Sequence, residues 1–162
     1  MVITRYALFG LASAYQKLGQ YRQAKPIYLK LLEAFPGNQE IIGNLLAIVT
    51  EESPYDSVPL LQAMAERHPN SAFINAQTGV AFSNIEDYKN GIKYLNRALK
   101  LDRSNIQYQY NLAILYDKSS RYNEAIRMYT EVIRNAKYDE QLGYAIPISR
   151  LRERVEFLKT QL

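Results

Sequence analysis

Cysteine is missing from this chain of 162 residues, which removes disulfides, thiolate nucleophiles and thiolate metal sites from consideration. The same absence fits the cytoplasm, which is favoured, or a periplasm reached through a signal or anchor ahead of this segment in a parent chain. Histidine occurs once, as His68, in a Glu66-Arg67-His68-Pro69 stretch that reads as a helix end, where a cation suits the helix dipole. No glycine-rich phosphate loop, carboxylate cluster or serine with a spaced base stands in the sequence. No catalytic residue, metal ligand or cofactor is therefore nominated, and the expectation is of a protein that is not an enzyme. Long hydrophobic runs are lacking as well. The longest, Ile41 to Val49, contains Asn44 and falls far short of the roughly 20 residues that a membrane-spanning helix needs, so membrane insertion is not expected. Met1 to Ala14 loosely mimics a secretory signal ending in Ala12-Ser13-Ala14, but an internal repeat claims the same residues.

Apolar residues make up 48% and charged residues 22%, with a formal charge of +4. That is ordinary globular chemistry without low-complexity or like-charge blocks. So modest a charge serves nucleic-acid binding only if the basic residues gather on one surface.

The dominant feature is self-similarity. An aromatic or branched residue recurs at Tyr15, Val49, Phe82 and Tyr116, at separations of 34, 33 and 34. A second row, Tyr28, Leu61, Leu95 and Tyr129, runs in step at 33, 34 and 34. Small residues form further rows at Ala12, Gly79 and Ala113, and at Ala24, Ser57, Gly91 and Ala125, where two helices would approach closely. Leu46 is the one large intruder. Within a unit, Leu8, Leu11, Ala12 and Tyr15 share one helix face, Gly19-Gln20-Tyr21 breaks the pattern, and Ala24, Tyr28, Leu31 and Leu32 line a second face. One unit is thus two amphipathic helices joined by a tight turn. Pro36 and Pro69 close the first two units, while Pro26 and Pro59 are expected so early in the second helices that the hydrogen bonds they forgo are mostly unmade anyway. The second unit departs most: it is one residue short between its helices and has Ser53-Pro54 where the others place Tyr21, Tyr88 and Tyr122.

These residues resemble the tetratricopeptide repeat (TPR) family, whose 34-residue unit has the same order of Leu, small, Tyr, Gly, Tyr, Ala, aromatic and Pro. The rows of tyrosine and alanine favour it over the 35-residue RNA-binding helical repeats, which read one base per unit. The expected fold is all-α: a single domain over 1–162, with repeats at about 5–38, 39–71, 72–105 and 106–139 and a capping segment at 140–162. In the cap, Ile148, Leu151, Val155, Leu158 and Leu162 form one apolar stripe opposite Arg150, Arg152, Glu153, Arg154, Glu156 and Lys159, as suits a helix that covers the last open face of a stack. At the other end the first helix is left with an exposed flank, so either the array continues in a longer chain or this helix is a place of self-association.

The resemblance implies a right-handed superhelix whose first helices line a concave groove for a partner peptide or helix, and hence a scaffold or adaptor. Projected from the repeat register, the groove residues are Tyr6, Phe9, Ser13 and Lys17 in the first copy and Glu40, Gly43, Asn44, Ala47 and Glu51 in the second. The third copy supplies Phe73, Ala76, Gln77, Val80 and Asn84, and the fourth Gln107, Tyr110, Asn111, Ile114 and Lys118. Asn44, Gln77 and Asn111 fall in one row, and a carboxamide both donates and accepts, matching the peptide unit of an extended chain. Phe9, Phe73, Tyr110 and Ile114 would supply apolar pockets between them. Some relatives clamp an acidic C-terminus with lysine, arginine and asparagine. Here only Asn44 fits: Phe9 and Ser13 replace lysine and asparagine, and Phe73 and Gln77 replace cations. The expected ligand is an internal, largely neutral segment of an unidentified protein. The alternative is a convex basic ridge of Lys89, Lys93, Arg97 and Lys100, continued by Arg127 and Arg134, binding an acidic protein or nucleic acid. The interspersed Glu86, Asp87, Asp102, Glu124 and Glu131 make it read first as a solvated outer face.

Overall fold

A computed structural model describes residues 4–136 and 146–162. The end of the fourth repeat and the start of the capping segment, 137–145, lie outside the described residues, as do residues 1–3. Every described element is helical: α1 (Arg5–Lys17), α2 (Tyr21–Ala34), α3 (Gln39–Glu52), α4 (Pro54–Arg67), α5 (Ala72–Asn84), α6 (Tyr88–Leu101), α7 (Ile106–Lys118), α8 (Tyr122–Ala136) and α9 (Ile148–Lys159). They divide into two compact units, Met1–Leu60 and Leu61–Leu162.

Each first helix starts at a side-chain cap. Thr4, Asn38, Ser71 and Asn105 accept from the backbone N–H three residues on, which satisfies one of the donors a helix start leaves unpaired. The caps recur with the repeat, a row that the apolar rows had hidden.

The turns are equally regular. Gly19, Glu86 and Ser120, each four residues past the row aromatic, take left-handed backbone at φ 69°, 62° and 58°. The second repeat dispenses with this residue: Ser53 is extended at φ −163° and α4 begins at once on Pro54, a first-turn position that needs no N–H. That is the physical content of its missing residue.

In the first unit α1 packs on α2, α2 on α3, and α1 also touches α3. Ala12, Ala24, Tyr28, Leu31, Ile41, Leu45, Ile48 and Val49 form its core. In the second unit α5, α6, α7, α8 and α9 each pack on the next, and α5 also touches α7. Leu95, Ala98, Leu112 and Leu115 anchor one cluster there, and Ala113, Ala125, Tyr129 and Val132 another.

The second row, Tyr28, Leu61, Leu95 and Tyr129, is buried throughout. The rows of small residues do what their size suggests. A Cβ on Gly79 would stand 2.7 Å from Leu95 Cγ and 3.0 Å from the Gly91 carbonyl oxygen, so α5 and α6 cross at a contact that only glycines allow.

Three expectations are revised. Leu11 is 44% exposed, whereas the equivalent Leu45 and Leu112 are buried against helices that precede them in their own units; no described helix precedes α1. Pro26 and Pro59 stand six residues into α2 and α4, past the first four unpaired N–H groups, so each removes a helical hydrogen bond outright. Leu162 lies beyond the end of α9 and is 69% exposed, while Leu151, Val155 and Leu158 bury against the α7–α8 cluster as the capping stripe.

Candidate functional site

The side chains projected onto the wall of first helices fall into two groups, one in each unit. In the first unit Tyr28 organises the group. Its ring meets Phe9 edge-on at 5.9 Å, and its hydroxyl donates to Gln16 Oε1 at 2.9 Å. Gln16 in turn donates from Nε2 to the Asn44 carbonyl at 3.4 Å, tying α1 to α3. Burial pushes the Tyr28 phenol above its ordinary range, and the neighbouring Ser13 and Asn44 side chains pull it back. Ser13 and Asn44 therefore stand near this hydroxyl and Phe9 against the ring, with Phe9 half-buried against the core rather than open to a ligand. Tyr6, 80% exposed with the Arg5 guanidinium 5.6 Å over its ring, and Lys17, also exposed, stand outside this group.

In the second unit a cleft of about 190 Å³ opens between α5 and α7. Val80, Ser83 and Asn84 line one side, Asn111, Ile114 and Lys118 the other, with Leu95 and Leu115 at its base. Asn111 is held in place by Gln107, whose Nε2 donates to its Oδ1 at 3.1 Å, so the Asn111 amide N–H groups are the donors left for a ligand. Ile114 and Tyr110 are half-buried, leaning on the α7–α8 core. Phe73, Gln77 and Tyr110 are half-buried but do not line this cleft. Ala76 leaves the wall altogether: it is 2% exposed and sits in the core between α5, α6 and α7.

Two residues that the repeat pattern did not single out govern these walls. Gln16 and Asp117 occupy equivalent positions and each accepts the hydroxyl of the row tyrosine twelve residues on, Tyr28 at 2.9 Å and Tyr129 at 3.2 Å. Where the row residue is leucine, at Leu61 and Leu95, the equivalent positions are Thr50 and Ser83, too short for that bond and with no hydroxyl to meet. This pairing of a long polar side chain with a tyrosine is a signal written in the sequence. Asp117 has a second partner, accepting a two-pronged bond from Arg154 at 2.7 and 2.8 Å that ties α9 to α7.

The sequence itself matches the tetratricopeptide repeat over residues 6–38, 75–105 and 110–143. Those three stretches take in more than half of the chain. The chain belongs to the tetratricopeptide repeat family. A TPR repeat-containing protein of Methanocaldococcus jannaschii is 23% identical over 165 residues, which cover 95% of this chain and 28% of that protein. The chain thus spans less than a third of the curated relative it matches. Among solved structures, this TPR chain superposes on a MamA protein with a TM-score of 0.69 at 22% identity, over 99% of this chain and 90% of the other. MamA of Desulfovibrio magneticus RS-1 gives 0.67 at 21% identity, over 85% and 78%. YrrB, described as a TPR protein with an unusual peptide-binding site, gives 0.64 at 21% identity, over 88% and 73%. At these identities the likeness concerns the fold, and the fold is the TPR solenoid.

Proposed function

We propose that this chain is a protein-interaction scaffold whose walls of first helices hold an internal, largely neutral stretch of a partner polypeptide. The observation that carries the reading is the α5–α7 cleft, where the Asn111 amide and the aliphatic Val80 and Ile114 stand side by side. An extended peptide offers the complement: a carbonyl for the amide N–H and a small apolar side chain for the aliphatic walls. The Ser13, Asn44 and Gln16 group around Tyr28 gives the first unit a comparable polar wall. YrrB, a peptide-binding protein of the same fold, makes such use of a TPR chain reasonable. No catalytic step enters the reading.

A photo-reactive residue at Tyr110 would capture the partner segment, and the same segment made as a synthetic peptide would then be titrated. Asn44→Ala with Asn111→Ala is expected to weaken it roughly tenfold, as for the loss of one or two hydrogen bonds. Because the ligand is neutral, affinity should change little between low and high salt. Unchanged affinity in the double variant, or a steep salt dependence, would dispose of the reading.

A further inference from the structure

A larger cleft, about 360 Å³, lies in the second unit where the end of α4 and the turn after it meet α5 and α6. Three kinds of chemistry converge on it. Its apolar part is firm: Ala65 and Tyr94 are buried, Tyr94 is stacked on Phe82 at 5.6 Å, and Leu101 stands 44% exposed at the opening.

Its charged part is cationic. Arg97, held with its guanidinium 5.1 Å over the Tyr94 ring, and Lys100 line the cleft and are exposed. Neither forms an ion pair among the described residues. Glu66 is the one carboxylate in the lining, which leaves positive charge in excess.

The third element is Asn75, 1% exposed. Its Nδ2 donates to the Pro69 and Ser71 carbonyls at 3.1 and 2.8 Å, which fixes the amide's orientation. No donor among the described residues reaches its Oδ1, and that oxygen is not sealed from solvent. An amide oxygen oriented in this way and open to solvent can exchange water for a ligand N–H.

We propose that this cleft docks a short segment of a partner protein in which apolar side chains alternate with carboxylates. An apolar side chain lies over Ala65, Tyr94 and Leu101, a neighbouring carboxylate meets Arg97 and Lys100, and a backbone N–H of the segment donates to Asn75 Oδ1. Charge complementarity selects the acidic flank, and the firm aromatic floor selects the apolar anchor. The site is separate from the α5–α7 cleft and stands or falls without it.

The probe is a fluorescein-labelled octapeptide of alternating leucine and aspartate, titrated alongside the same peptide with asparagine for aspartate. Saturable binding that prefers the aspartate peptide is expected. Arg97→Gln with Lys100→Gln should weaken it roughly five- to tenfold, the scale of two partly exposed charge contacts, and Leu101→Ala should weaken both peptides. Lys89→Gln with Arg127→Gln removes the same charge outside the cleft and should leave affinity unchanged, as should Asn111→Ala. The substituted cations are exposed, so circular dichroism should be unaltered. Three results would each overturn the proposal: no saturation up to millimolar peptide, equal affinity for the two peptides, or an equal loss in the Lys89 and Arg127 variant. Displacement by an oligothymidylate of matched charge as readily as by peptide would also overturn it, in favour of a phosphate backbone as the ligand.

Discussion

The two row tyrosines carry more of the architecture than their shared spacing suggests. Tyr28 and Tyr129 bury a ring at the centre of their units and still satisfy the hydroxyl, on Gln16 and on Asp117. Burial first, then the charge and hydrogen bond of Asp117, raises the Tyr129 phenol above its ordinary 10.0. The folded chain therefore holds this proton more tightly than the unfolded chain does. The stability that follows is fully present below the ordinary value and is lost as the pH climbs from there toward the raised one. Wild type should accordingly lose more urea stability between about pH 9 and about pH 11 than Tyr129→Phe does, by roughly 1 kcal/mol. Equal losses would show that this phenol is not perturbed. The left-handed residues give a second expectation. Glu86→Gly and Ser120→Gly remove a Cβ from strained backbone and should each raise the unfolding free energy measured in urea by about 0.5–1 kcal/mol, while Gly19→Ala should lower it. None of these three positions shows in an apolar pattern. Gly19 was legible as a turn, but Glu86 and Ser120 adopt its conformation because the hairpin geometry dictates it, with no local preference of their own.

Helix pairs in this chain are set by what is small as much as by what is apolar. At the α5–α6 crossing Gly79 and Gly91 face each other's backbone, so Gly79→Ala is expected to cost about 1–3 kcal/mol as overpacking. Gly43, whose Cβ would meet nothing within 4 Å, is the internal control: Gly43→Ala should stabilise by about 0.5–1 kcal/mol, because glycine is a poor helix residue. Thermal melts of both variants check the pair, and a Gly79→Ala chain as stable as wild type would contradict the close crossing. The hairpins were legible at this scale because the period fixes partners: once Tyr15 and Tyr28 are seen to recur, the helices between them follow. What the rows could not give was the side of each helix left open. Ala76 was projected onto the wall and lies in the core, and Leu11 was projected into the core and is exposed. Both depend on which neighbouring helix is present, not on the repeat's own sequence.

At the scale of the whole chain, α1 to α3 in the first unit and α5 to α9 in the second pack on their neighbours in sequence, so the stability of each unit is expected to behave as a sum of local interfaces. The last of these is α9. Leu151, Val155 and Leu158 cover the α7–α8 core, and Arg154 fastens the helix to Asp117. A chain ending before residue 148 should keep most of its helical circular dichroism, unfold at lower urea and bind a hydrophobic dye such as ANS; an unchanged midpoint would mean that α9 is not a cap. The cap was legible as a stripe with a charged back. Arg154 read only as part of that charged back, because its bond to Asp117 spans 37 residues and no local pattern foretells it. The candidate site was legible in part for the same reason. Asn111 and Ile114 were found from register and do line one cleft, while Phe73 and Gln77 share the register without sharing the cleft.

The claim that a partner segment lies along the first helices is tested most directly by side-chain amide NMR of isotopically labelled chain during titration with that segment. The account predicts that the Asn111 and Asn44 side-chain amide resonances each shift saturably while those of residues beside Arg127 and Arg134 stay still. Saturating shifts confined to the Arg127 and Arg134 face, with Asn111 and Asn44 unmoved, would contradict it.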